Sequence, residues 1–339
     1  MMLILAIESS CDETAAAVVE DGRRALSSVV ASQNDLHGHF GGVVPELASR
    51  RHLEMIVPVV DEALARAGVG LKEITGLAVT QGPGLVGALV VGFSFAKALA
   101  MARGLPLVGV DHLHAHLLAV FLEATPSFPF VALVVSGGHT NLYLVDDFLT
   151  YRLLGQTRDD AAGEAFDKVA KLLELGYPGG PIISQIAQKG NPQAIPLPRA
   201  RVKGAPLDFS FSGLKTAVVH YVRRVKAQGE PLPLADLCAS FEAAVVEMLV
   251  ERTLLAVEQT GVKTVVLAGG VAANPRLRKT LKAAGIKRGL EVFTPSPALC
   301  TDNAAMVGVA GYHLHKAGRL LDLEADVYAR AKTLRHVSG

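Results

Sequence analysis

One pattern occurs twice in this chain, and the repetition restricts its folds more than any other feature. Residues 3–20 read LILAIESSCDETAAAVVE, and residues 131–146 read VALVVSGGHTNLYLVD. Each is an apolar strand, a tight turn of small or polar residues, a threonine and a second apolar strand, as in a β-hairpin. A third strand is expected after each, near Ala25–Ala31 and near Leu149–Gln156. Both halves then turn helical. The first does so through an amphipathic stretch from Pro45 to Ala67, the second through helices over Ala162–Glu174 and Ile182–Lys189. Three strands followed by helices, twice over, predict a duplicated α/β fold. With 339 residues, half of them hydrophobic, the chain is larger than a single growing core, so two lobes are expected. Their boundaries are placed at 1–108 with 318–339 for the N-terminal lobe and 109–317 for the C-terminal lobe.

The turns suit an anion. Ser136-Gly137-Gly138-His139-Thr140 lets backbone amides approach a ligand closely, because glycine lacks Cβ and accepts positive φ. Tyr177-Pro178-Gly179-Gly180-Pro181 is a second glycine turn, with Pro181 expected at the first position of a helix. Gly269-Gly270-Val271-Ala272-Ala273-Asn274 follows a buried strand, Thr264–Ala268, and opens another helix. None has the phosphate-loop or dinucleotide-loop spacing. Singly, each reads equally as a structural strand-to-helix turn. Their matching places favour a nucleotide cleft between the lobes.

A second constellation points to a metal. In His112-Leu113-His114-Ala115-His116 the first and last histidines stand four apart, one above the other on a helix face, whereas His114 falls on another side. The preceding Leu105–Asp111 reads as a short strand that delivers the chain to a helix cap at Asp111. Zinc peptidases with this spacing carry a glutamate beside the first histidine, where this chain has Leu113. The third ligand is sought at Asp302, in Cys300-Thr301-Asp302-Asn303-Ala304, where the alternative role is a plain helix N-cap. Two histidines and one carboxylate with open positions suit iron(II) or zinc.

Charge and composition limit the partners. The net charge of +1 gives no overall basic surplus for nucleic acid, and no tryptophan is present for base stacking. Local basic clusters occur at Arg199, Arg201 and Lys203; at Arg223, Arg224 and Lys226; at Arg276, Arg278, Lys279 and Lys282; and at Arg330, Lys332 and Arg335. Each, taken singly, reads as a solvated face. No apolar run suggests a membrane span, and the apolar start is a strand rather than a signal peptide. Three scattered cysteines, Cys11, Cys238 and Cys300, argue for a reducing compartment and a cytoplasmic protein.

The stretches IESSCDET (7–14), GGVVPELASRRHLE (41–54), GLPLVGVDHLHAH (104–116), VSGGHT (135–140), GYPGGP (176–181), FSFSGLKTAV (209–218), AGGVAAN (268–274) and CTDNAAMVG (300–308) are similar to those of the TsaD family. These are bacterial-type tRNA N6-adenosine threonylcarbamoyltransferases, formerly called glycoproteases, of the actin/Hsp70/sugar-kinase superfamily. The resemblance implies two lobes around a nucleotide-binding cleft. It also implies transfer of threonylcarbamoyl from threonylcarbamoyl-AMP to N6 of the adenosine 3′ of the anticodon, in tRNAs reading codons that begin with A. By position, His112, His116 and Asp302 would hold the metal, while Val135, Ser136, Gly137, Gly138, His139, Asp167, Gly180 and Asn274 would contact the activated substrate.

Asp12 and Glu13, in the first hairpin turn, are the candidate base or orienter for the amine proton. TsaB-like and TsaE-like proteins are the implied partners, the former against the helix from Pro45 to Ala67. Two alternatives stand beside this reading. A metal-dependent glycoprotease is suggested by the histidine pair, and a small-molecule kinase by the fold.

Overall fold

Continuous apolar runs make the central strands of the first sheet, and only its edge strand alternates. In the computed structural model, which describes residues 1–330, β1 (Leu3–Glu8), β2 (Glu13–Glu20) and β3 (Arg24–Ser32) form an antiparallel meander. Two further strands, β4 (Gly76–Gly82) and β5 (Leu107–Asp111), run parallel to β1, and the sheet order is β3-β2-β1-β4-β5. β1 is buried along its whole length, as a central strand covered on both faces must be. Leu3, Leu5 and Ile7 share one core with Ile56, Val60 and Phe93. These last three lie on α2 (Pro45–Ala67) and α3 (Val86–Arg103), which follow the short α1 (Asn34–Gly38). α2 matches the expected range, and both α2 and α3 end at left-handed glycines, Gly68 and Gly104. By length and composition, α3 is one helix apolar enough to cross a membrane. Its Phe93, Ala96 and Ala100 are nevertheless buried in the core with β1 and β4.

After β5 come α4 (His112–Leu118), then β6 (Phe130–Val135), β7 (Thr140–Val145) and β8 (Tyr151–Gln156). The second sheet, completed by β9 (Thr264–Ala268) and β10 (Glu291–Phe293), has the order β10-β9-β6-β7-β8. β6, β7 and β8 are antiparallel, while β9 and β10 are parallel. Read from the other edge, this is the first sheet again, so the duplication extends from the hairpins to all five strands. Val131, Leu133 and Val135 point into a core with Phe166 and Phe241. Phe166 lies on α5 (Ala162–Leu172) and Phe241 on α8 (Leu234–Thr260), with α6 (Gly179–Ala187) and α7 (Ser212–Ala227) between them in sequence. α9 (Pro275–Arg288) and α10 (Pro297–Cys300) complete this part.

α6 starts at Gly179, so Pro181 occupies its third position and not the expected first. Asp167 explains the earlier start: its Oδ1 accepts a hydrogen bond from the Gly179 N–H, a group the helix itself cannot satisfy. Proline fits anywhere in that first turn for the same reason.

The chain then returns to the first sheet with α11 (Ala304–Lys316). Gly308 and Gly311 let α11 lie close on the strands. A Cβ at Gly308 would stand 2.4 Å from Val19, and one at Gly311 would stand 2.3 Å from Ala78. Unit 1 therefore comprises Met1–Thr125, Asp147–Thr150 and the described residues from Thr301, while unit 2 comprises Pro126–Asp146 and Tyr151–Cys300. The boundaries expected at 108 and 318 both fall inside unit 1, because α4 continues directly from β5 and α11 covers the same sheet. Lys332 and Arg335, with the rest of 331–339, lie outside the described residues.

Candidate metal centre and substrate turns

The histidine helix is aimed by its cap. Asp111, the last residue of β5, accepts hydrogen bonds at Oδ1 from the backbone N–H of Leu113 and His114, and at Oδ2 from the Tyr328 hydroxyl. α4 therefore begins at the carboxyl end of a parallel strand, the end where α/β sheets place their ligands. His112 and His116 stack edge to face with ring centroids 4.7 Å apart. Their Nε2 atoms lie 3.6 Å and 3.1 Å from the same oxygen, Asp302 Oδ1. All three ligand atoms lie within 4.8 Å of one another. His114 points elsewhere, its Nε2 2.8 Å from the Phe148 carbonyl.

Asp302 is not the helix cap. Asn303 takes that role in α11, its Oδ1 accepting from the Met306 N–H and its Nδ2 donating to the Thr301 carbonyl. The capping role that the sequence left open at Asp302 thus falls to Asn303. Asn303→Ala is expected to cost about 1 kcal/mol of stability as a lost cap. Asp302→Ala is expected to leave the cap in place, and thermal unfolding of the metal-free proteins separates the two.

Glu8 sits behind His112, and the sequence reading passed over it. Its Oε2 lies 3.0 Å from His112 Nδ1 and accepts from the Thr80 hydroxyl, while Oε1 accepts from the Ser10 N–H. The only sequence signal was a charged residue closing a buried apolar strand. Burial pushes the Glu8 carboxyl up, but the charge and hydrogen bond of His112 together hold it below the usual carboxylate value. Burial likewise disfavours a charged His112, yet Asp302 and Glu8 raise its pKa to about 9.

This arrangement fits a cation. With Nδ1–H donated to Glu8, a neutral His112 would present its Nε2 lone pair to a carboxylate. That contact becomes favourable only with a proton on Nε2, hence the raised pKa, or with a metal ion in the proton's place. His116 is 1% exposed and its Nδ1 is buried without a protein partner.

Asp12 and Glu13 lie in the same electrostatic neighbourhood. Burial first, then the charges of Asp302 and Asp12 and a hydrogen bond with Asp12, push Glu13 up to about 10. Leu113, where a zinc peptidase has its glutamate, is 3% exposed in the apolar core.

In unit 2 the expected substrate residues fall into two groups and a capping position. The Ser136–His139 turn closes on itself: Ser136 N donates to the His139 carbonyl, and His139 N donates to Ser136 Oγ. It is welded to α5, whose Ala162 N donates to Thr140 Oγ1 and whose Gly163 N donates to the Ser136 carbonyl. Gly269, at φ +88°, passes so close beneath Val135 that a Cβ there would meet its carbonyl oxygen at 2.4 Å. Yet at Gly137, Gly138 and Gly180 a Cβ would meet no protein atom within 4 Å, so these glycines leave open space. Asp167 and Gly180 are joined through the Gly179 hydrogen bond. Asn274 caps α9 through the Leu277 N–H, and its Nδ2 donates to Glu242, a buried carboxylate that sequence reasoning also missed. Among the described residues Cys11, Cys238 and Cys300 form no disulfide.

Comparison with known proteins adds to this geometry. A family model, TsaD: tRNA N6-adenosine threonylcarbamoyltransferase, matches residues 24–309. A curated protein of Anaeromyxobacter dehalogenans named tRNA N6-adenosine threonylcarbamoyltransferase is 60% identical over 96% of this chain and 98% of its own length. One of the same name from Geotalea uraniireducens is 58% identical over 92% of each chain. Among solved structures, component A of (R)-2-hydroxyglutaryl-CoA dehydratase from Acidaminococcus fermentans is similar, with a TM-score of 0.55 at 16% identity, over 94% of this chain and 100% of its own. HypF of T. kodakarensis has a TM-score of 0.60 at 14% identity, over 93% of this chain and 48% of its own. These two likenesses concern the fold alone, which is of the actin/Hsp70/sugar-kinase class. The glycoprotease and kinase alternatives find no support among these relatives.

Proposed function

The chain belongs to the TsaD family, the tRNA N6-adenosine threonylcarbamoyltransferases, and from that premise we propose that it moves threonylcarbamoyl from threonylcarbamoyl-AMP onto the adenosine 3′ of the anticodon in tRNAs reading codons that begin with A. The full-length likeness to named transferases carries this reading. The exocyclic N6 amine attacks the carbonyl carbon, and an N–C bond forms. The C–O bond to phosphate breaks, AMP leaves with the electron pair, and the amine gives up a proton. AMP is already a good leaving group, so holding the reactants together and stabilising oxygen charge is the main task.

A divalent ion, iron(II) or zinc, held by His112, His116 and Asp302 would supply Lewis acidity and a template for the acyl group. Glu8 would orient His112 toward that ion. The Val135–His139 turn, open at Gly137 and Gly138, would offer backbone amides to the donor's phosphate. Asp167 would hold the Gly180 turn against the donor by its bond to Gly179, and Asn274, fixed by Glu242, would contact it from the start of α9. Asp12 and Glu13, in the first hairpin turn, would serve as base or orienter for the amine proton.

A TsaB-like protein would dock on α2 and α3, which leave Leu53, Val57, Val86 and Val90 exposed, and a TsaE-like ATPase completes the set. The site of action would be the cytoplasm, with no membrane partner. The test is transfer of radiolabelled threonylcarbamoyl from its adenylate to an unmodified tRNA, with and without both helpers. Label on tRNA is expected with the wild-type chain. No label with helpers present and metal bound would overturn the reading. In the same assay Asp12→Asn at saturating tRNA is expected to be slow, and Leu53→Glu with Val57→Glu to lose the helper's stimulation. Wild-type behaviour of either variant would remove that residue's role.

A further inference from the structure

Several basic residues of unit 2 are held by partners within it. Arg199 pairs with Glu247, Arg201 with Glu251, and Lys168 and Lys215 with Asp160. Arg278 turns inward to the carbonyls of Ala272, Thr294 and Pro295. α9 is different. Arg276, Lys279, Lys287 and Arg288, with Thr280, Ala283 and Ala284 as a low floor, line a groove of about 780 Å³. Among the described residues none of these four cations forms an ion pair.

The spacing follows from the helix. Positions 276, 280, 283 and 287 fall in one stripe, with Lys279 on one flank and Arg288 on the other. The small alanines let long cationic side chains stand as walls. From Arg276 to Arg288 the track runs about 18 Å at the helical rise of ~1.5 Å per residue. A nucleic acid duplex presents one phosphate charge per ~1.7 Å of axis, so a track of this length faces several phosphates of one strand. The track also begins beside a site already described, because Arg276 follows Asn274 by two residues.

We infer that this face of α9 is a phosphate-backbone track for the acceptor tRNA; the inference rests on the transferase reading for the identity of the RNA. Net charge hid it, because the cations here are balanced by acids elsewhere. Contacts to phosphate position an RNA without reading its sequence, so the track would set affinity and register rather than choice of adenosine.

The test uses the full-length chain and a fluorescently labelled, unmodified transcript of a tRNA that reads codons beginning with A. Its binding is followed by anisotropy across a salt series. The Lys279→Gln, Lys287→Gln, Arg288→Gln triple variant is expected to flatten the slope of log affinity against log salt by about 2, with affinity at moderate salt down on the order of tenfold. An Arg223→Gln, Lys226→Gln variant on α7 is expected to bind as wild type, and circular dichroism melts of all three proteins are expected to coincide. An unchanged slope in the triple variant would overturn the inference, as would an equal loss in the α7 variant or failure of the wild type to bind at low salt. The transferase reading fails by a different sign: tRNA bound through α9, with the expected slope change, but never modified by the wild type.

Discussion

A His116→Ala protein is expected to transfer threonylcarbamoyl roughly 10³-fold more slowly than wild type. That corresponds to loss of about 4 kcal/mol of charge stabilisation at ~1.4 kcal/mol per tenfold. Its metal content after dialysis is expected to fall with it. This variant is cleaner than His112→Ala for a structural reason. Removing His116 leaves the Glu8–His112 contact of 3.0 Å in place. Removing His112 strands Glu8, which is fully buried, without its positive partner, and breaking a buried pair in that way costs about 3–5 kcal/mol. His112→Ala is therefore expected to lose stability as well as activity, whereas His116→Ala loses activity with a smaller shift in Tm. Glu8→Gln lies between them. It keeps the shape but weakens the hold on the Nδ1 proton, and is expected to lower metal affinity about 10–100-fold. The measurements are metal content by mass spectrometry, Tm of the metal-free proteins and initial transfer rate. A His116→Ala protein that is metal-free yet transfers at the wild-type rate would remove the ion from the chemistry.

The sequence showed what is periodic or local. Two hairpins with matching turns were visible because short apolar runs and small-residue turns are local signals, whereas the parallel pairing that completes each sheet was not. The i, i+4 histidines were visible because helical geometry alone sets their spacing, and Asp111 because a cap precedes its helix. Glu8 was not, because nothing local says that a carboxylate at the end of β1 will face His112 more than a hundred residues later. The parallel pairing of β1 with β4 and of β4 with β5 creates that neighbourhood. Asp302 and Asn303 could not be told apart for a similar reason, since both residue types cap helices well and only the backbone decides which is in place. Pro181 was set two residues too early in its helix because the group that satisfies Gly179, Asp167, comes from another helix. The lobe boundaries differed because α4 and α11 are ordinary helices in sequence, and their allegiance to the first sheet is a matter of packing.

Gly163→Ala is expected to slow transfer about 10²-fold, through a loop it never touches in sequence. Two effects compete at this position. Gly163 lies in the first turn of α5, and alanine in place of helical glycine is worth up to about 1 kcal/mol in its favour, less near a helix end. Against that, its Cβ would stand 2.5 Å from the Ser136 carbonyl oxygen and 2.8 Å from Gly137 Cα and N. These are backbone atoms, so no side chain can swing aside, and overpacking of this kind costs about 1–3 kcal/mol. The clash wins, and the part that yields is the Ser136–His139 turn, displaced from α5 along with the hydrogen bond from Gly163 N to Ser136 O. Gly180→Ala is the control, because its Cβ would meet no protein atom within 4 Å. It is expected to melt as wild type, and to raise the KM for threonylcarbamoyl-AMP if the donor fills that space. Gly213→Ala, equally open but outside the substrate turns, is expected to change neither. Gly163→Ala with wild-type Tm and wild-type kinetics would mean that the turn does not hold the donor. A fallen Tm with unchanged KM would mean that α5 yields to the clash and the turn does not.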